Sequence, residues 1–323
     1  MKSSELNTTI TLARWFVCLV AIFSPLHVFS HDKETTATYL ANEGVMISSG
    51  DVKVLFDPFF HNDYGTYQLV PEKIINAIMD NTAPYNDISA IFVSHAHGDH
   101  FAEQDMLAYM LKHNAVQLVA PNQAIVEMQK LAQFDKIKSR VTSIDLAYKD
   151  KPISFTLDVN TTVSTSISGV ERDSITVEAV RIPHAGWPGR AEVSNIVYRV
   201  TLPTKHSESF GLSSNEHADK RLNTEADKHE RLTFIHMGDA DPNDKHFRPL
   251  SEFWNLQKTN LAFPPYWFFL NSTGNYILDY RINTEKSVGV HVPKALPAAL
   301  IRSGKAYFSV PGEVLNIQSK EHE

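Results

Sequence analysis

His95-Ala96-His97-Gly98-Asp99-His100 follows directly on Ile88-Ser89-Ala90-Ile91-Phe92-Val93-Ser94, and this pair of stretches decides the fold. The upstream run is apolar and rich in strand formers, as in a buried strand. The six residues after it carry four side chains able to ligate a metal. Imidazoles at i and i+2, followed by a carboxylate and a third imidazole, converge on one point only if the chain leaves its strand and begins a helix. Gly98 is expected to supply the freedom for that turn. Nitrogen and oxygen donors of this kind suit zinc, and also iron or manganese. The plain alternative is a His-rich surface loop that binds nothing, but composition alone does not place four donors this tightly behind a strand.

Working toward the N-terminus, Thr38-Tyr39-Leu40-Ala41, Gly44-Val45-Met46-Ile47 and Val52-Lys53-Val54-Leu55-Phe56 are apolar runs separated by Asn42-Glu43-Gly44 and Ser49-Gly50-Asp51. That punctuation predicts an antiparallel meander whose third strand ends at Asp57-Pro58. Phe59 to Tyr67 is read as a loop, and helical periodicity follows at Glu72 to Met79. Toward the C-terminus the pattern predicts helices over Glu103 to Lys112 and Gln123 to Gln133 around a strand at Val116 to Ala120. Strands are expected at Ile175 to Val180 and Asn195 to Leu202. Residues 204–231 are polar and charged with few large apolar side chains, which predicts a long mobile loop; its His206, His217 and His229 are read as solvated. Two strand series with helices interspersed imply an α/β protein of two sheets packed face to face with helices outside.

The chain is 323 residues long, enough for one large domain. A formal charge of −7 and the lack of a Lys/Arg-rich stripe argue against nucleic acid as a partner and for a small-molecule substrate. Residues 1–30 have the make-up of a signal peptide. Lys2 and Arg14 precede an apolar run from Trp15 to Phe29, and Val28 and Ser30 fit a cleavage site. Pro25 and His27 interrupt a run already short for a bilayer span, so cleavage, export to the periplasm or medium and no stable membrane anchor are expected. The single cysteine, Cys18, falls inside this leader, so the mature chain, 31–323, is expected to be one domain without disulfides and with only N and O ligands. Sequons at Asn160 and Asn271 occur at a chance rate and carry no weight. No Walker A, Gly-rich dinucleotide turn, Gly-x-Ser-x-Gly elbow or His-Glu-x-x-His pattern is present.

Four further residues stand where strands run out: Asp57 after Val54-Leu55-Phe56, His184 after Ile182-Pro183, Asp239 after Phe234 to Gly238, and His291 after Ser287 to Val290. The order Asp57, His95-x-His97-x-Asp99-His100, His184, Gly238-Asp239, His291 resembles the five successive motifs of the metallo-β-lactamase superfamily. The resemblance runs from about Thr38 to near the C-terminus and implies a four-layer αββα sandwich. Carried over residue by residue, it implies a dinuclear centre with His95, His97 and His184 on one ion, Asp99, His100 and His291 on the other, and Asp239 bridging them. Asp57 would orient the second motif by hydrogen bonds. Two divalent ions, zinc before iron or manganese, would hold hydroxide near neutral pH, with Asp99 as the catalytic carboxylate beside it.

The branch of the superfamily is less determined. Enzymes that hydrolyse β-lactams carry Cys or Ser where this chain has Asp239, so the resemblance leans toward the lactonase, phosphodiesterase and thioesterase branches. β-Lactam hydrolysis stays open because export and the double-His ending of the second motif suit it. Iron-based redox chemistry stays open because related members hold iron at such a site. His61, Tyr64, His246 and Tyr266 are candidate leaving-group acids by nearness to the expected rim loops. Phe59, Phe60, Tyr64, Tyr67 and the run from Phe263 to Phe269 are candidates for an apolar pocket, with core packing an equal explanation for the last.

Overall fold

Val54, Leu55 and Phe56 are consecutive and fully buried, yet they belong to two different cores: Val54 and Phe56 face one cluster and Leu55 the other. A strand buried on both faces must lie in a sheet covered on both sides, and that alternation organises the molecule. The computed structural model describes residues 34–159, 174–204 and 231–317. The leader expected at 1–30, and the loop expected at 204–231 except for its end residues, lie outside the described residues.

The first sheet contains β1 (Thr35–Ala41), β2 (Gly44–Ser49), β3 (Val52–Phe56), β4 (Ala90–Phe92), β5 (Gln117–Pro121) and β6 (Val141–Ile144). The second contains β7 (Ile153–Asp158), β8 (Ser174–Arg181), β9 (Ile196–Pro203), β10 (Arg231–His236), β11 (Thr259–Phe263) and β12 (Thr284–Ser287). The final strand, β13 (Val314–Ile317), returns to the edge of the first sheet, giving the orders β13-β1-β2-β3-β4-β5-β6 and β12-β11-β10-β9-β8-β7. The meander β1-β2-β3 is antiparallel, whereas β3 to β6 run parallel.

Between the sheets lie Ile47, Val54, Phe56 and Phe92 from one side and Val177, Tyr198, Phe234 and Phe263 from the other. The outer face of the first sheet is covered by α1 (Glu72–Met79), α2 (Glu103–Lys112) and α3 (Asn122–Gln129). On α1, Ile74 and Ile78 stand one turn apart and turn the same stripe inward, each stabilising by about 1.5–3 kcal/mol when fully buried. The outer face of the second sheet is covered by α4 (Asp244–Phe247), α5 (Ser251–Asn255), α6 (Ser272–Tyr280) and α7 (Ala298–Ser303), through Phe247, Trp254, Ile277 and Leu300. The result is the four-layer αββα sandwich expected from the sequence.

One helix boundary differs. The stripe expected to 133 stops at Gln129, and past Gln133, whose φ of 76° bars a continuous helix through it, the chain forms a separate 3-10 turn at Phe134–Lys136. Among the described residues, no helix is long and apolar enough to cross a membrane.

Candidate metal centre

Sheet direction explains how residues distant in sequence meet. β3 and β4 are parallel, β10 and β11 are parallel, and β8 lies antiparallel to β9, which is antiparallel to β10. Strands β3, β4, β8 and β10 therefore deliver Asp57, His95, His184 and Asp239 just past their C-terminal ends. His291 follows a short bridge between Pro265 and Val290.

His95 to His100 form a turn, and α2 starts only at Glu103. A single helical turn closes it, with the His100 and Phe101 amides donating to His97 O at 3.0 and 2.9 Å. Gly98 is not in a left-handed conformation, so conformational freedom is not why it is there. Space is the reason: a Cβ at Gly98 would lie 3.3 Å from Asn62 Cβ, and Gly98 O accepts the amides of His61 and Asn62. Gly238 has both constraints, since its φ is +50° and a Cβ there would lie 2.4 Å from Asn195 Oδ1. Asp57 and His291 take φ of 41° and 58°, uncommon for residues with a Cβ and typical of functional sites.

All seven expected ligands converge. Ligand atoms of His95, His97, His184 and Asp239 lie within 4.8 Å of one another, as do those of His100, Asp239 and His291, and those of His95, Asp99 and His100. Asp239 stands between the groups with its two oxygens divided. Oδ2 is 3.1 Å from His184 Nε2 and 4.0 Å from His95 Nε2, while Oδ1 is 3.1 Å from His291 Nε2 and 3.4 Å from His100 Nε2. Asp99 Oδ2 lies 3.4 Å from His291 Nε2 and 3.6 Å from His100 Nε2.

Hydrogen bonds on the outer ring atoms determine which atoms face inward. His184 Nδ1 lies 2.7 Å from Ala185 O, and His100 Nδ1 lies 2.9 Å from Asp57 Oδ2, so each Nδ1 carries a proton and each Nε2 is the ring atom that faces inward. The Nε2 atoms of His100, His184 and His291 and Oδ1 of Asp239 are buried without a hydrogen-bond partner. Nitrogens and carboxylate oxygens 3–4 Å apart need a proton or a cation between them, and a bound metal ion would take the place of the proton. Tetrahedral donors about 2.0–2.1 Å from a zinc ion stand about 3.3 Å apart, a spacing these separations match. The donor set therefore fits divalent cations.

The electrostatics agree. Burial lowers His95 and His97, with neighbouring histidines adding to the effect. Burial also opposes charge on His100 and His291, but the carboxylates outweigh it: His100 rises well above the usual histidine range and His291 is pushed up to about 9, Asp239 leading in both. Burial would raise the Asp239 carboxyl, yet His291 and His100 hold it well below the usual range. The carboxylates thus favour positive charge at His100 and His291.

Several supporting residues were not singled out from the sequence. The Ser94 hydroxyl donates to Asp57 Oδ2 at 2.6 Å and lies 3.0 Å from His95 Nδ1. Asn195 ties two loops, donating to Ile182 O and Met237 O at 3.2 Å each and accepting the Asp239 amide at 3.0 Å. Asn42, in the β1-β2 turn, donates to Asp99 O at 2.8 Å and accepts the His291 amide at 2.7 Å. Beneath them, Glu43 is fully buried beside Asp57 and His236, and burial raises its carboxyl well above the usual range. Their only sequence signal is adjacency to a motif or a turn.

The centre opens into a cleft of about 460 Å³ lined by Tyr64, Thr66, Tyr67, His97, Asp99, Arg190, Glu192, Asp239 and His291. Tyr64 is the one leaving-group candidate on that lining. His61 pairs with Asp105 at 2.9 Å, His246 lies 2.8 Å from the Tyr148 hydroxyl, and Tyr266 packs edge-on against Trp267. Tyr67 packs edge-on against the His291 ring at 4.0 Å between centroids. Phe59, Phe60, Phe263 and Phe268 are core residues instead of pocket walls.

Igni18, a metallo hydrolase from the archaeon Ignicoccus hospitalis, shares the fold at a TM-score of 0.50, covering 88% of this chain and 99% of its own; at 13% identity the likeness speaks for the fold alone. A possible metal-dependent hydrolase from Veillonella parvula matches at a TM-score of 0.47 with 13% identity, over 88% and 99% of the two chains. CmlA, a diiron β-hydroxylase from Streptomyces venezuelae, matches at 0.41 with 12% identity, over 88% and 54%. No curated protein sequence matches the chain. The family model described as the beta-lactamase superfamily domain matches residues 53–223, a span that holds Asp57, the motif from His95 to His100 and His184. With that match over more than half its length, the αββα sandwich and the convergence of seven His and Asp side chains at its rim, the chain belongs to the β-lactamase superfamily.

Proposed function

We propose that the chain is an exported metal-dependent hydrolase that holds two divalent ions, zinc first among them, and opens an ester-type bond of a small molecule: a lactone, phosphodiester or thioester. The observation that carries this reading is the division of Asp239, whose two oxygens face two separate histidine groups. His95, His97 and His184 would hold one ion, and Asp99, His100 and His291 the other. Bound there, such ions activate water and polarise the oxygen that gathers charge in the transition state.

The protein groups divide the remaining work. Asp57 and Ser94 fix the orientation of His100 and His95. Asp99 lines the cleft, which puts a carboxylate oxygen where a proton leaving the attacking water can be taken up. Tyr64, on the same lining and largely exposed, is placed to donate to a leaving group.

Metal analysis of the purified mature chain, run beside chromogenic lactone, phosphodiester, thioester and β-lactam substrates, tests the reading. About two zinc ions per chain with hydrolysis of one ester class is the expected result. Iron without hydrolysis would move the case to redox chemistry, and no metal under replete conditions would sink it. Export rests on the composition of residues 1–30 and is tested by the N-terminus of the protein recovered outside the cytoplasm: a start near His31 supports cleavage.

A further inference from the structure

Beside Tyr64 and Tyr67, the cleft is lined by the segment after His184, which presents Arg190 and Glu192. Among the described residues, the Arg190 guanidinium makes no ion pair or hydrogen bond, not even with Glu192 two positions away. Other cations nearby are engaged: Lys294 pairs with Asp63 at 2.6 Å, and Arg181 bonds three carbonyls. Arg190 is an uncommitted fork of donors at the mouth of a metal centre.

Its backbone is held firmly. Arg181 donates to Ala191 O at 2.9 Å and Val193 O at 3.2 Å, while Gln123 donates to Glu192 O at 2.7 Å and accepts the Ser194 amide at 2.8 Å. The stem of Arg190 lies over Gly186, whose φ is +91°; a Cβ there would sit 3.6 Å from Arg190 Cδ. Fixing the base of a long side chain while leaving its head free lowers the entropy lost on binding. A guanidinium presented this way recognises carboxylate or phosphoryl groups through paired N–H donors.

We propose that Arg190 is a specificity residue for a substrate that carries an anionic group, carboxylate or phosphoryl, separate from the bond broken at Asp239. The assignment rests on the metallohydrolase reading above. Glu192 on the same wall limits it to one compact anion on the Arg190 side, because a second negative charge would meet its carboxylate.

Calorimetry on the metal-loaded mature protein tests this without turnover, with butyrate, glutarate and 3-phosphonopropionate as probes. Butyrate can engage only the metal centre, whereas the other two carry a second anion at similar length. Wild type is expected to bind at least one two-anion probe about tenfold tighter than butyrate. Arg190→Ala should erase that gain, Arg190→Lys should keep part of it, and Glu192→Gln should enlarge it, all at unchanged zinc content. The probe with the larger Arg190-dependent gain identifies the head group. Equal affinity for all three probes, or a gain that survives Arg190→Ala, would overturn the assignment. Failure to hydrolyse any ester would count against the proposed activity and leave this comparison standing, since no bond is broken in it.

Discussion

Asp57 Oδ2 lies 2.9 Å from His100 Nδ1 and accepts the Ser94 hydroxyl at 2.6 Å, while Asp57 Oδ1 accepts the Ser94 amide at 2.7 Å. One carboxylate thus holds both the exit of β4 and the ring of a proposed ligand. Asp57→Asn is the informative change, because Asn tolerates the left-handed φ of 41° and removes the charge. Outer partners of metal-bound histidines are worth about 10–100-fold in metal affinity. Asp57→Asn should weaken zinc binding in that range while the protein stays folded. Chelator competition reads the affinity, and an unchanged value would remove Asp57 from the centre.

Asn195 offers a second handle, since it joins the His184 loop to the Asp239 loop through both ends of its amide. Asn195→Ala leaves the buried Asp239 amide and two carbonyls without their partner. The expected loss is about 1–3 kcal/mol per unsatisfied group, together with weaker metal retention. Asn195→Asp keeps the acceptor for Asp239 and loses the donors, so it should retain metal better than Asn195→Ala. Thermal unfolding and zinc content on the three proteins separate these outcomes.

The tight motif at His95 to His100 could be read from sequence because four donors within six residues leave few alternatives. Asp57, His184, Asp239 and His291 were legible only as residues after strands, and it is the parallel run of those strands that makes strand ends meet. Asn42, Ser94 and Asn195 were not legible: each acts through hydrogen bonds to residues 13 to 249 positions removed or to immediate neighbours, and a polar residue beside a turn has no distinguishing pattern. Gly98 was read for flexibility when its role is to leave room for Asn62, a contact across two loops.

Arg199, in the middle of β9, is 1% exposed and makes a two-pronged contact with Glu178 at 2.6 and 2.8 Å, under the Phe253 ring at 4.1 Å. Removing one partner of a buried pair strands the other charge. Arg199→Ala should therefore cost about 3–5 kcal/mol, whereas Arg199→Met combined with Glu178→Leu should recover most of it. Denaturant unfolding of the single and double variants checks this, and zinc bound per folded molecule should not change.

His246 is buried, away from the ligands, with its Nδ1 2.8 Å from the Tyr148 hydroxyl and its Nε2 3.7 Å from Asp241 Oδ1. Burial, aided by the charges of Lys245 and Lys149, pushes its imidazole down to about 4 from 6.5. The unfolded chain then binds the extra proton between those values, so this contribution to stability is fully present above pH 6.5 and is lost as the pH falls toward 4. At pH 5 the loss amounts to about 2 kcal/mol relative to pH 7. His246→Gln removes the titration, and its stability should fall less between pH 7 and 5 than that of wild type by about this amount. Taking the difference between the two proteins removes the titration of the other histidines, which they share. Parallel pH profiles would mean that His246 is protonated as easily in the folded protein as in the unfolded chain.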